Sequence, residues 1–150
     1  MPNIPYGNIC FAFWRKMCII RCERSRGMLE WNIEETDKFT RTFRKYEKKH
    51  GETAIATMTN FGSYMQLLSK GLNPLQISTS YVHDEKKGLI AVDQKKQKRK
   101  LRETRLYFYP DMDKKTVYLL IIGDKNSQQT DIKFCREQIK MLRSDYGKTA

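Results

Sequence analysis

Thr104-Arg-Leu-Tyr-Phe-Tyr109 is the stretch from which the fold can be read. Side chains alternate along an extended chain, so Leu106 and Phe108 point one way while Arg105, Tyr107 and Tyr109 point the other. Aromatic and branched residues in this pattern predict a strand with one apolar face. Working outward, Thr116 to Ile122 reads as the next strand after a polar turn at Pro110 to Lys115. Ile77 to Val82 and Leu89 to Gln94 read as two earlier ones, separated by a turn at His83 to Gly88. Connections this short imply antiparallel pairing, because parallel neighbours require long crossovers.

Further upstream the period changes. Leu29, Trp31 and Ile33 alternate with Glu30, Asn32 and Glu34, the pattern of a half-buried strand. Thr36 is placed to cap a helix in which Phe39, Phe43 and Tyr46 recur at helical spacing while Lys38, Arg41, Lys45 and Lys48 face water. Gly51 ends it. A second helix is predicted from Thr53 to Lys70, with Ile55, Met58, Met65 and Leu68 inward and a stop at Gly71 and Asn73-Pro74. A last helix fits Thr130 to Tyr146, with Ile132, Cys135, Ile139 and Leu142 on one face. The fold class is therefore α+β: a small antiparallel sheet with two N-terminal helices on one side and a C-terminal helix.

Charge narrows the partner. The chain has 29 Lys and Arg against 17 Asp and Glu, a net +12 over 150 residues. Such an excess repels itself unless a polyanion is nearby, and each phosphate that a cation neutralises releases counterions. Half of the excess, +6, lies between Lys95 and Arg105, where Glu103 is the single anion. Another +4 lies in residues 1–27.

Residues 1–27 read as an N-terminal extension, because composition shifts at Gly27-Met28 and regular periodicity starts there. Either translation begins at Met28, or the segment packs over an edge of the domain formed by residues 28–150. Arg15 and Lys16 divide its apolar run into halves too short to span a bilayer, and neither the charge pattern nor a small-residue cleavage site fits a signal peptide. Cys10, Cys18, Cys22 and Cys135 do not form zinc-site spacings with each other or with His50 and His83. No metal or cofactor is expected. The thiols read as reduced ones in a cytoplasmic protein that does not associate with membrane.

If Leu106 and Phe108 meet the helices, Arg105, Tyr107 and Tyr109 form a basic and aromatic surface of the kind that stacks bases and holds phosphates. The alternative is that the tyrosines pack under the final helix and Arg105 pairs with a carboxylate. Lys95, Lys96, Lys98, Arg99 and Lys100 read as a cationic loop beside this face, able to follow a phosphate backbone; the alternative is a solvated connection.

Arg105-Leu-Tyr-Phe-Tyr109, followed by Val117-Tyr-Leu-Leu-Ile-Ile-Gly-Asp-Lys-Asn-Ser-Gln-Gln-Thr-Asp-Ile132, resembles the C-terminal half of addiction-module killer proteins, the toxins of the RelE and HigB superfamily. The match is specific in residues 102–132 and architectural over the rest of 28–150. The resemblance implies a RelE-like fold and the toxin of a type II toxin-antitoxin system. Its activity would be metal-independent cleavage of mRNA within the translating ribosome. Its partners would be mRNA, the ribosome and a cognate helix-turn-helix antitoxin. Cleavage through the ribose 2′-OH needs a base, cations for the phosphorane and an acid for the leaving oxygen. Arg105 is the first choice for the phosphate, with Lys98, Arg99 and Arg102 assisting and Tyr107 or Tyr109 stacking a base or donating a proton. His83 is the candidate base, with a plain surface histidine as the alternative. Lys125 matches the Gly-Asp-Lys turn and is read as an RNA contact or a structural one, and Asp131 as a helix-start carboxylate. A non-catalytic RNA-binding or regulatory module on the same fold remains the competing function, with a degenerate toxin a third.

Overall fold

The computed structural model describes residues 30–95 and 101–148. Their elements follow the order β1 (Asn32–Glu35), α1 (Asp37–Lys49), α2 (Gly51–Ser69), β2 (Val82–Asp84), β3 (Ile90–Asp93), β4 (Thr104–Asp111), β5 (Thr116–Asp124) and α3 (Gln128–Lys148), with 3-10 turns at Pro74–Gln76 and Lys125–Ser127. The class is α+β, as the periodicity predicted.

The five strands form one sheet in the order β1-β5-β4-β3-β2. β2 to β5 pair antiparallel, as the short turns required, but β1 runs parallel to β5, with Asn32 opposite Thr116 and Glu35 opposite Leu119. The sheet is therefore mixed rather than antiparallel. Parallel pairing needs a long connection, and everything from Thr36 to Lys115 lies between these two strands. A second correction concerns Ile77 to Val82, where only Val82–Asp84 is strand. Ile77 and Tyr81 are nevertheless buried, so their apolar pattern is satisfied by core contacts instead of a ladder.

Helices cover both faces of the sheet. On one, Leu106 and Phe108 pack with Phe39, Phe61, Tyr64 and Leu68. The rings of Phe61 and Tyr64 meet Phe108 edge-on, with centroids 5.1 and 4.9 Å away, and such pairs add about 0.5–1.5 kcal/mol each beyond area burial. In α2, Met58, Met65 and Leu68 face inward as expected, while Ile55 is half-buried. Thr36 caps α1 by accepting from the Phe39 amide, and its hydroxyl donates to the Leu119 carbonyl at 2.8 Å. One side chain thus both starts the helix and fastens it to β5.

The opposite face carries Leu89, Ala91, Tyr107, Tyr109, Tyr118 and Leu120 beneath Cys135 and Ile139 of α3. Burial pushes the Cys135 thiol pKa up, so it stays protonated and behaves as a small apolar group. A slip in the β4–β5 register at Tyr107/Phe108 turns both Leu120 and Ile121 toward this layer. Gly123 explains how closely α3 begins. A methyl there would overlap Asp131 Oδ2 and lie 2.7 Å from Ser127 Oγ, so only glycine admits the Ser127–Asp131 pair, itself 2.7 Å long. Among the described residues, no helix is long and apolar enough to cross a membrane.

Candidate active site

α3 covers only part of its face of the sheet. It seals Tyr107 completely and Tyr109 almost so, while the Arg105 end of β4 stays half-open. The open basic and aromatic surface expected along Arg105, Tyr107 and Tyr109 is therefore not formed, and the tyrosines pack under the final helix instead. The physical reason is amphipathicity. α3 presents Cys135 and Ile139 as an apolar stripe, and the tyrosine rings are the largest apolar area available to meet it.

What α3 leaves uncovered is a half-buried polar strip across three strands. Asp93 and Arg105 are register partners on β3 and β4, so their side chains stand side by side. His83, opposite Ala91 on β2, lies on the same face, and its Nε2 donates to Asp93 Oδ2 at 2.6 Å. Arg105 Nη1 donates to Glu85 Oε1, also at 2.6 Å. Glu85 is placed by the β2–β3 turn, in which Lys86 and Lys87 adopt left-handed conformations that non-glycine residues rarely take. Asp84 Oδ1 supports that turn by accepting from the Lys86 amide. The result is a His–Asp pair beside an Arg–Glu pair. The histidine and arginine side chains are 25% and 29% exposed and the carboxylates only 7% and 14%, so the anions sit below and the proton-carrying and cationic groups reach solvent.

Asp93 is strongly held. Its Oδ1 accepts from the Lys95 amide at 2.8 Å, and the Lys95 ammonium lies 3.6 Å from Oδ2. Asn60 of α2 donates to the carbonyls of Asp93 and Lys95, fixing the chain where it leaves β3. A carboxylate can only accept at Nε2, so in the neutral form of the imidazole the proton sits there and Nδ1 carries the lone pair.

The remaining predicted residues separate into groups. Lys95 stands at the rim of the strip. Lys96, Lys98, Arg99 and Lys100 lie outside the described residues. Tyr109 lies four residues along β4 from Arg105, about 13 Å away, stacked on Tyr118 and beneath the Arg143 guanidinium. Tyr107 has no route to solvent, and burial raises its hydroxyl pKa well above the usual tyrosine value. Neither tyrosine can donate a proton or stack a base at Arg105. Arg102 does not assist Arg105 either: it donates to Asp124 Oδ2 at 2.8 Å, an interaction that lowers the Asp124 carboxyl pKa. The Lys125 ammonium lies 3.6 Å from Glu103 Oε2 at the surface.

The Gly-Asp-Lys turn is thus an anchor for α3. Asp124 Oδ1 accepts from the amides of Asn126 and Ser127, and Asp131 is buried against Gly123, with burial raising its carboxyl pKa against the opposing hydrogen bond from Ser127. Sequence reasoning missed Asp93 and Glu85. Asp93 had a signal, because alternation from Leu89 and Ala91 puts its carboxylate on an enclosed face where it needs a partner. Glu85 had none, since its position depends on the turn.

No group of three or more His, Cys, Asp or Glu among the described residues is arranged to hold a metal ion. Comparisons with known protein families, curated proteins and solved structures found no match.

Proposed function

We propose that the chain is an RNA endonuclease of the RelE and HigB kind, cutting mRNA by attack of a ribose 2′-OH on the adjacent phosphate. The observation that carries this reading is the His83–Asp93 pair beside Arg105 on one half-open face. The order strand, two helices, antiparallel strands, helix is also the one the sequence resemblance implies.

Each group has a role. The free nitrogen of His83 takes the 2′-OH proton while Asp93 holds the ring and stabilises the imidazolium that forms. The 2′-oxygen bonds to phosphorus, and the bond to the 5′-oxygen breaks. Arg105 neutralises the charge gathering on the phosphorane oxygens. The products are a 2′,3′-cyclic phosphate and a 5′-hydroxyl, the latter taking its proton from solvent water at the half-open face, with Lys98 the sequence candidate for a further cation at the phosphate. Glu85 occupies Arg105 in the free protein, so the incoming phosphate must compete with a carboxylate. Translating ribosomes would present the mRNA, and a cognate antitoxin would restrain the activity.

Expression should arrest growth, and Arg105→Ala and His83→Ala should each relieve the arrest. Arrest by both variants at wild-type level would reject the site. A second reading, a non-catalytic RNA-binding module, draws on the Glu85–Arg105 pair, which already gives the guanidinium a carboxylate partner; under it, expression leaves growth untouched.

A further inference from the structure

We propose that the outer face of α1 is a second RNA contact, one that grips the phosphate backbone of double-helical RNA without reading its bases. α1 carries Lys38, Arg41, Arg44, Lys45, Lys48 and Lys49 against Asp37 and Glu47, a net +4 in 13 residues. All six cations are exposed. At about 100° per residue, all but Arg44 fall within an arc of about 100°, opposite the buried Phe39 and Phe43, and the strip is about 16 Å long.

Five other described cations are already neutralised. Lys86, Lys95, Arg102, Arg105 and Lys125 are paired with carboxylates, whereas Arg41, Arg44, Lys45, Lys48 and Lys49 enter no ion pair among the described residues. Arg41–Lys45, Arg44–Lys48 and Lys45–Lys49 are like-charge neighbours one turn apart, an arrangement that weakens a helix and that a polyanion relieves. Lys48 and Lys49 complement the dipole at the helix C-terminus. Arg41, Arg44 and Lys45 are mid-helix, where the dipole gives them no such use.

The chemistry of the face selects the occupant. Phe39 and Phe43 are buried, Tyr46 is half-buried and hydrogen-bonded to Thr104, and the half-buried Phe134 ring of α3 already carries the Lys38 ammonium 5.7 Å from its centroid, so α1 itself offers no free ring on which a base could stack. It also shows no apolar side chain to insert into a lipid interface. Rigid, closely spaced cations without a stacking platform suit the phosphate rows of a duplex. α1 packs on β5, next to the β1 edge, on the opposite face of the sheet from the His83 strip near the β2 edge, so the two surfaces meet different parts of an RNA. The choice of RNA over DNA rests on the proposed cleavage of RNA.

The test is anisotropy titration of a 2′-O-methylated RNA duplex, which has no 2′-OH nucleophile, over a range of salt concentrations. The full chain would be compared with the triple variant Arg41→Gln, Lys45→Gln, Lys48→Gln and with a control triple, Lys70→Gln, Lys133→Gln, Lys140→Gln. Each lost phosphate contact lowers the slope of log affinity against log salt by about 0.9. The α1 triple should therefore lose about two to three in slope, each single variant about one, and the control triple less than one. An unchanged slope, or equal losses in both triples, overturns the proposal. So does an α1 triple that keeps duplex binding but loses binding to anionic phospholipid vesicles or to poly-glutamate. Far-UV circular dichroism confirms that the variants are folded. Because the duplex cannot be cut, this result stands whether or not the chain proves to be a nuclease.

Discussion

Replacing Tyr107 by Phe separates a packing residue from a working one. The Tyr107 side chain is fully buried, and its hydroxyl finds no hydrogen-bond partner among the described residues. A buried hydroxyl without a partner costs about 1–3 kcal/mol, while the ring contacts with Leu89, Leu120 and Cys135 survive the substitution. Tyr107→Phe should therefore stabilise by about 1 kcal/mol, raising Tm by about 2–4 °C for a chain of this size, and should leave the proposed RNA cleavage unchanged. The pH dependence gives a second reading. Burial raises the Tyr107 pKa above its usual 10.0, so above pH 10 the unfolded chain releases a proton that the folded one keeps. Stability contributed by the neutral phenol is full below pH 10 and is lost as pH rises further, and the Phe variant should lose less. The assay is thermal and urea unfolding at pH 7 and pH 10.5, with cleavage measured at pH 7. Destabilisation of 1 kcal/mol or more would mean that the hydroxyl is satisfied, and loss of cleavage would return Tyr107 to the site.

Other substitutions probe the anchor of α3 and the counter-ion of Arg105. Gly123→Ala forces a methyl onto Asp131 and Ser127 and should destabilise by about 1–3 kcal/mol, seen as a lower urea midpoint. Asp124→Ala removes the cap at the start of α3 and should cost about 1 kcal/mol at pH 7. Because Arg102 lowers the Asp124 pKa, that contribution is present above the usual carboxylate range and lost as pH falls through the lowered value, so the wild-type advantage should vanish in acid unfolding. Glu85→Gln frees Arg105 of its carboxylate. It should tighten binding of an uncleavable single-stranded RNA by roughly fivefold, about 1 kcal/mol, at a similar cost in thermal stability. Weaker binding would show that Glu85 serves the ligand rather than competing with it.

Periodicity carried most of the fold into view. The alternation in Arg105 to Tyr109, the helical spacing of Phe39, Phe43 and Tyr46, and the Thr36 cap all report local geometry, which short sequence windows encode. The β1–β5 pairing is non-local, and no pattern in Asn32–Glu35 names its partner. The site was half legible. Arg105 and His83 stand out by residue type, but alternation leaves open which face is covered, and that depended on where α3 lies. Asp93 and Glu85 depend on strand register and on two left-handed residues in a turn. The basic face of α1 was visible as water-facing lysines and arginines, yet summed charge concealed it. Outside the two most basic segments the chain carries only +2, because acidic residues elsewhere offset this helix.

The most direct test of the site is a map of cellular RNA 5′ ends after induced expression of the wild-type chain, His83→Ala and Arg105→Ala. New 5′-hydroxyl ends within translated frames, present with the wild type and absent with both variants, are the expected result. Wild-type expression without new ends, or the same ends from all three proteins, would contradict cleavage by the His83–Asp93 pair and Arg105.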